Sequence, residues 1–471
     1  MKNKFNLLTS KEWLPFQKSW FHHIDRENLY ESNIRFFTKP DKEKSKIFYF
    51  GMKSDLIRNL CKKNHSIILE KNEKDQNEIE FAIFDLLDHF EDPFNFNNYI
   101  NTKRIVIDLI ESLSNNIQHR KFITIFMKNL QSDGVLYPYA WDLAKSISSY
   151  LSLKDEKIGC IELSHDNIEN ATDDFMTDNS IYYSLYFRKD ELSGLKQFER
   201  NQFFQSVTKS SVPVAFEDVF NSWFILKPKP RKKNEKLHPA KYPEDLIEKY
   251  IKVFTKVDDN IFDPMSGTGT TQLAALMTKR NGYGCELSKY FCDIANNRCQ
   301  NYVDSYNQII SNSFKIYNED ARNLAEINLP IIDYIVTSPP YWNMLNMVGA
   351  ENQAKRKKQG LQLNYSESEK DLGNIQDYDQ FLDNLYNIYI ECIKLLKADG
   401  YITIILKNIK KKGNNYPFAW DLAERLSKKL LLMPESVWCQ NDLSIAPYGF
   451  GNTWVSNTFH TYCITFRNNI S

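Results

Sequence analysis

An internal repeat limits this chain to folds that can be built twice. Residues 123–144, ITIFMKNLQSDGVLYPYAWDLA, align with residues 402–423, ITIILKNIKKKGNNYPFAWDLA, without a gap and with 13 identities in 22 positions. Unrelated segments of average composition would share about one or two. The same offset of 279 residues carries Cys160 onto Cys439 and Tyr186-Phe187-Arg188 onto Thr465-Phe466-Arg467. Toward the start of each unit, Ser19-Trp20-Phe21 matches the pattern of Ser222-Trp223-Phe224. A repeat of this size is a duplicated domain. The 471 residues suffice for two such units, each burying its own core. The expected division is a first copy over 1–190, a polar linker over 191–214 and a second copy over 215–471.

In the second copy, residues 261–286 read IFDPMSGTGTTQLAALMTKRNGYGCE. Ile261 and Phe262 end a buried strand, Ser266 to Thr271 form a glycine-bearing turn, and Gln272 to Arg280 continue as a helix. The turn presents a helix N-terminus with unpaired N–H groups, and Gly267 and Gly269 let a ligand approach the backbone where a Cβ would collide. A second strand, Gly282 to Cys285, ends in Glu286. That carboxylate is placed to accept hydrogen bonds from the two hydroxyls of a ribose. The turn lacks the Lys of GxxxxGK[ST] and does not spell GxGxxG, so neither a nucleoside triphosphate nor NAD is favoured.

A strand over 333–336 then delivers Thr337-Ser338-Pro339-Pro340-Tyr341 at its carboxyl end. With Asp263-Pro264-Met265-Ser266-Gly267-Thr268-Gly269-Thr270-Thr271 also in view, the chain resembles the S-adenosylmethionine-dependent DNA methyltransferases that modify exocyclic amino groups. The resemblance covers residues 215–467. It implies an α/β, Rossmann-like methyltransferase fold, a mostly parallel sheet with an antiparallel C-terminal strand, present in two copies. It also implies that Asp263, Met265, Ser266, Gly267, Thr268, Gly269, Thr270 and Thr271 hold the methionine end of S-adenosyl-L-methionine. Glu286 would hold the ribose, and Asp320, after a strand over 314–317, the adenine amino group. Ser338, Pro339, Pro340 and Tyr341 would grip a flipped base.

The chemistry accounts for those residue types. An exocyclic amine is a poor nucleophile because its lone pair is delocalised into the ring. Ser338 Oγ and the Pro339 carbonyl can accept hydrogen bonds from the amine and orient that pair, while two prolines fix the direction of the carbonyl. Tyr341 can stack on the base. Direct displacement then needs positioning, with no metal and no covalent enzyme intermediate. Two further segments are similar to the family's. Leu237 to Leu246 matches the HPxxKP-like stretch before the glycine motif, where His238 is positional. Pro447-Tyr448-Gly449-Phe450 and His460 match its Tyr/Gly-rich turn and closing strand, with Tyr448 a candidate pocket residue.

The first copy has lost this chemistry. Between Phe21 and residue 80 the lone glycine is Gly51, and FAIFDLLDHF places about Asp85 to Asp88 opposite the SPPY motif. It is a degenerate copy kept either for binding DNA or as a structural partner covering its sister.

Composition narrows the partners. There are 60 basic and 60 acidic residues, so contact with nucleic acid must come from local strips. Candidates are KPKPRKKNEK at 227–236, alternatively a solvated connector, and the polar insert at 343–374 containing Lys355-Arg356-Lys357-Lys358, alternatively a solvated charge run. The eight cysteines form no CxxC and no metal-ligand group with the eight histidines, so no metal and no disulfide scaffold is expected. No cysteine follows a proline, which disfavours the covalent route of cytosine carbon-5 methyltransferases. No apolar run approaches a membrane span and the N-terminus has no secretory core, so a cytoplasmic protein is expected. The resulting expectation is a site-specific methyltransferase acting on cytosine N4 of double-stranded DNA, beside a cognate restriction endonuclease. The alternatives are adenine N6, RNA, and a non-catalytic DNA-binding scaffold.

Overall fold

The computed structural model describes residues 6–39, 44–69, 79–89, 96–132, 134–162, 177–191, 220–228, 242–306, 311–342, 371–411, 413–442, 444–445 and 454–468. Most of the 227–236 strip, His238, the Lys355–Lys358 run and Pro447–Phe450 lie outside the described residues.

The N-terminal half supplies β1 (Trp20–His22), β2 (Ser45–Phe50), β3 (Ser66–Leu69), β4 (Ile79–Asp85), β5 (Ile117–Met127), a hairpin of β6 (Leu130–Ser132) and β7 (Val135–Tyr137), β8 (Ser152–Cys160) and β9 (Ile181–Arg188). Seven of these form a sheet in the order β1-β8-β9-β5-β4-β2-β3. The C-terminal half supplies β10 (Trp223–Ile225), β11 (Asn260–Asp263), β12 (Asn281–Cys285), β13 (Phe314–Tyr317), β14 (Ile332–Thr337), β15 (Leu396–Leu406), a hairpin of β16 (Ile409–Lys411) and β17 (Asn414–Tyr416), β18 (Leu431–Leu432), β19 (Ser436–Cys439) and β20 (His460–Arg467). Its sheet runs β10-β19-β20-β15-β14-β11-β12-β13, with β18 also on β20. Strands β11 to β15 pair parallel and β20 antiparallel, the arrangement of a Rossmann-like methyltransferase. The described helices are α1 (Ser10–Phe16), α2 (Arg26–Phe37), α3 (Ser54–Lys63), α4 (Phe96–Asn116), α5 (Tyr139–Ile147), α6 (Glu244–Phe254), α7 (Thr270–Met277), α8 (Lys289–Ser305), α9 (Tyr378–Leu395) and α10 (Phe418–Leu426).

Local sequence explains the elements that frame the second sheet. Helix α6 starts after Pro243 with Glu244 and Asp245 in its first turn, and it buries Leu246, Ile247, Tyr250, Ile251 and Phe254 at helical spacing. Ser288 and Asp377 cap α8 and α9, accepting from Phe291 N and Gln380 N. Helix α7 starts earlier than the expected Gln272, at Thr270, because Gly269 adopts the left-handed conformation directly before it.

The two sheets repeat each other's register. Phe122 and Ile123 pair with Arg188 and Phe187, and Tyr401 and Ile402 pair with Arg467 and Phe466, at the same offset of 279. They also pack on each other through reciprocal contacts. Trp141 and Trp420, one from each half, stack with ring centroids 6.0 Å apart and planes 11° apart. Cys160 and Cys439 bring their sulfurs to 3.8 Å. The Trp20 indole donates to the Gln440 carbonyl at 3.0 Å, and the Trp223 indole donates to the Ile161 carbonyl at 2.9 Å. Asn129 donates to Glu435 at 3.1 Å, and Asn408 donates to Glu156 at 2.9 Å. Such exchanged pairs define an isologous, two-fold-like interface within one chain. One hydrophobic core runs through both sheets and includes both tryptophans. All eight cysteines are buried free thiols.

Candidate active site

The site is assembled where β11, β12 and β14 end together at their carboxyl edge. Asp263, the last residue of β11, is completely buried. Its Oδ1 accepts from Thr337 Oγ1 at 2.6 Å and Met265 N at 3.0 Å, and its Oδ2 accepts from Thr271 Oγ1 at 2.7 Å and the Tyr242 hydroxyl at 2.8 Å. Burial raises its pKa, and these four donors act in the opposite direction. One carboxylate thereby ties the glycine turn, α7, the segment before α6 and the end of β14 together.

The turn that follows is held from several sides. Gly267 and Gly269 both have positive φ, 54° and 74°. A Cβ on Gly269 would lie 2.8 Å from Ala295 Cβ of α8, so the second glycine also lets α8 pack against the turn. Ser266 Oγ donates to the Asp263 carbonyl at 3.1 Å and accepts from Gln272 Nε2 at 3.0 Å. Thr268 and Thr270 are buried, and the Thr268 carbonyl accepts from Arg298, which also pairs with Glu244 at 2.6 Å. Met265 is half-buried at the edge of the core.

Glu286 follows β12 and is half-buried. Its Oε2 accepts from Gly267 N and its Oε1 from Ser288 N, each at 2.8 Å. Each oxygen keeps a second lone pair, which is the donor-accepting set a ribose diol needs. Burial, with Asp263 and Asp371 nearby, pushes this carboxyl up to about 7 against the two N–H donors. Asp320 caps the short 3-10 helix Ala321–Glu326 and accepts from Arg322 N at 3.0 Å. The Arg322 guanidinium also holds both its oxygens, Nε at 2.9 and 3.1 Å and Nη2 at 2.6 Å.

Ser338 stands directly after β14, half-buried. Among the described residues nothing hydrogen-bonds its side chain, whereas Thr337 before it is committed to Asp263. Pro339 is buried, Pro340 and Tyr341 are half-buried and Trp342 is buried. Tyr341 meets Phe418 edge to face at 6.2 Å, and Trp342 packs against Tyr378 at 5.1 Å and Tyr416 at 4.7 Å. Asp263, the stretch Met265 to Thr271, Glu286, Asp320 and Ser338 to Tyr341 thus all lie at the carboxyl ends of neighbouring strands, and Asp263 joins the glycine turn to the end of β14.

Sequence reasoning missed Tyr242, Arg322 and Asp371. The first belongs to the HPAKYP stretch and the second lies two residues past Asp320, so both stood beside motifs already singled out. Asp371 is buried, accepts from Gly373 N at 2.8 Å and raises the Glu286 pKa, and no local pattern marked it. His460, matched to the family's turn and closing strand, is the first residue of β20, and it also lies between the halves, its Nδ1 2.8 Å from Ser19 Oγ and its Nε2 3.3 Å from Glu156.

The corresponding place in the first sheet is filled. Ile47, Phe81 and Phe122 occupy one row, as do Ile261, Tyr334 and Tyr401, so Tyr49 falls at the position of Asp263 and Asp85 at that of Ser338. The Tyr49 hydroxyl accepts from Lys53 N at 3.0 Å and lies 3.3 Å from the Tyr30 hydroxyl. Asp85 is buried, accepts from Tyr30 and pairs with Arg26, whose other nitrogen holds Asp88 at 2.9 Å.

A glycine turn, a carboxylate held by that turn after the second strand and an SPPY strand end on one sheet edge define a methyltransferase-type site. The sequence model described as DNA methylase matches residues 7–297 and 332–458, and the chain belongs to that family. It is similar to the orphan methyltransferase M.BamHII of Bacillus amyloliquefaciens, 35% identical over 100 residues that make up 21% of this chain and 38% of that one. It is 42% identical over 59 residues to the Type II methyltransferase M.BglII of Bacillus subtilis, 12% of this chain and 16% of that one. With the Type II methyltransferase M.MjaI of Methanocaldococcus jannaschii it shares 30% over 109 residues, 23% and 35% of the two chains. The chain therefore spans 38% or less of the length of each of these relatives. Among the described residues there is no cluster able to hold a metal ion and no helix long and apolar enough to cross a membrane.

Proposed function

We propose that the protein transfers a methyl group from S-adenosyl-L-methionine to an exocyclic amine in double-stranded DNA, with cytosine N4 the preferred atom. The observation that carries this is the Ser338 hydroxyl at the end of β14, which has no hydrogen-bond partner among the described residues and is tethered through Thr337 and Asp263 to the glycine turn. The cofactor supplies an electrophilic methyl on a sulfonium. Glu286 accepts from its ribose and the turn bounded by Asp263 and Thr271 receives its methionine end. Ser338 Oγ and the Pro339 carbonyl accept from the target amine and aim its lone pair, and Tyr341 stacks on the extruded base. Held in this way, the cofactor would supply the methyl group to the amine nitrogen and keep the carbon–sulfur bonding pair as the neutral thioether, while Ser338 Oγ and the Pro339 carbonyl would hold the amine hydrogens.

Catalysis belongs to residues 215–471, and residues 1–190 form a degenerate copy. The shared register, with Tyr49 and the paired Asp85 standing at the places of Asp263 and Ser338, supports that division. The copy adds surface for flanking DNA, and a restriction endonuclease of the same specificity is the expected companion. The test is to express the protein in cells, digest their DNA to nucleosides and identify the methylated base by mass spectrometry. N4-methylcytosine is expected. N6-methyladenine would keep the mechanism and move the target atom, and unmodified DNA would overturn the reading.

A further inference from the structure

Strand β8 places four successive charged residues inside the protein. Lys154, Asp155, Glu156 and Lys157 are 2, 0, 2 and 1% exposed. Charges are removed from water at this depth only when they are paired. Lys157 finds the Phe16 carbonyl in its own half, but the other three reach into the opposite half. Lys154 Nζ donates to the Gly413 carbonyl at 2.6 Å while pairing with Asp190. Asp155 accepts from Val455 N at 2.9 Å and Ser456 N at 2.6 Å and pairs with Lys410 at 2.6 Å. Glu156 accepts from Asn408 at 2.9 and 3.0 Å and from the Tyr462 hydroxyl at 2.9 Å.

The segment gripped at Asn408, Lys410 and Gly413 is the hairpin β16–β17 with its approach, and that hairpin backs the SPPY motif. Lys411 Nζ sits 3.6 Å from the centre of the Trp342 ring, and Tyr416 packs on the same ring at 4.7 Å. Asn408 also accepts from Ala419 N at 2.9 Å, fixing the first turn of α10, from which Phe418 meets Tyr341. Asn129 and Glu435 repeat the Asn408–Glu156 pair, so the one-sided part of the grip is that of Lys154 and Asp155. At the offset of 279, Lys154 and Asp155 correspond to Met433 and Pro434, and only Glu156 keeps its counterpart, Glu435. The two polar anchors therefore exist only where the hairpin they hold lies against an SPPY strand end.

We propose that Lys154, Asp155 and Glu156 are positioning residues for methyl transfer, through which the N-terminal half sets the aromatic wall behind Tyr341 and Trp342. This rests on the proposed methyl-transfer function. They touch neither base nor cofactor. They act through the Asn408–Gly413 stretch on the target-base side of the site and leave the cofactor side, built by β11, β12 and α7, alone.

The test uses the full chain carrying Lys154→Met, which installs the residue that the same fold already holds at position 433, and Lys154→Arg as the conservative variant. Three quantities are read: single-turnover methyl transfer to DNA, the calorimetric Kd for S-adenosylhomocysteine, and hydrogen exchange of the 409–416 amides. For Lys154→Met the expected result is roughly tenfold or more slower transfer, faster exchange across 409–416 and a Kd changed less than about twofold, since a displacement of about an ångström at a reacting group suffices for such a loss. Lys154→Arg should restore most of the rate. Unchanged transfer, unchanged exchange, or a Kd that weakens as much as transfer slows would each overturn the proposal. Should the wild-type protein transfer no methyl group to DNA, the function reading fails separately, and the exchange result alone then decides whether the grip exists.

Discussion

Glu286 should give cofactor binding and folding stability opposite slopes with pH. Its carboxyl sits at about 7 in the folded protein, above the ordinary 4.5. A raised carboxyl pKa means the folded state holds the proton more tightly, so this group's contribution to stability is greatest below 4.5 and is lost as pH rises to 7. The difference amounts to about 3 kcal/mol. Ribose hydroxyls, however, donate to the ionised form. Apparent affinity should therefore strengthen as pH rises, being about tenfold weaker at pH 6 than at its plateau and about thirtyfold weaker at pH 5.5. Calorimetric titration with S-adenosylhomocysteine from pH 5.5 to 8.5 measures the first slope, and urea unfolding over pH 4 to 8 the second. Glu435 is also buried and also pushed up to about 7, so the comparison that matters is wild type against Glu286→Gln. The variant should bind weakly with no slope between pH 5.5 and 7, and its stability should fall less on going from pH 4.5 to 7. An affinity slope that survives in Glu286→Gln, or a flat wild-type profile, would show that this carboxylate does not receive the ribose.

Ser338→Ala and Tyr341→Ala should each slow methyl transfer by roughly ten- to a hundredfold, from lost contacts of about 1–3 kcal/mol, while the calorimetric Kd for cofactor stays within a few-fold. Calorimetry should count one cofactor site per chain, and Asp263→Ala should abolish it by leaving the Thr337 hydroxyl and Met265 N–H without their acceptor; two sites of similar affinity would contradict the filled pocket around Tyr49 and Asp85. Gly269→Val should lower the urea midpoint as well as cofactor affinity, because its side chain would press on Ala295 from a left-handed backbone, and unchanged stability would return that glycine to a purely ligand-facing role.

Where sequence reading succeeded, the determinants were local. The apolar spacing of residues 246–254 marked α6, the Ser288 cap marked α8, and the strand over 314–317 was legible from its own residues. The two motifs marked the site because a glycine turn and an SPPY strand end each need particular residues within a few positions of one another. What escaped notice is held together over long separations. Asp263 resembles a ligand-binding carboxylate in sequence, yet its four donors come from residues 242, 265, 271 and 337. Lys154-Asp155-Glu156 carries no local motif, yet Glu156 finds Asn408 252 residues away. The repeat itself held the clue, since setting LKDEK against LMPES puts Lys154 and Asp155 opposite the apolar Met433 and Pro434.

The stack of Trp141 on Trp420 has a further consequence for how this protein can change. Separate subunits meeting through such a contact would come apart on dilution, whereas two halves in one polypeptide stay at a fixed local concentration, so the rate per chain should not fall as the protein is diluted. Covalent fusion also removes a constraint that symmetry imposes on heredity. In a pair of identical subunits every substitution appears twice, once on each side of the axis, and must suit both settings. Here each face changes alone. His460 can lie against Glu156 while Ile181 stands at the mirrored place, and one face can acquire anchors that the other never needs.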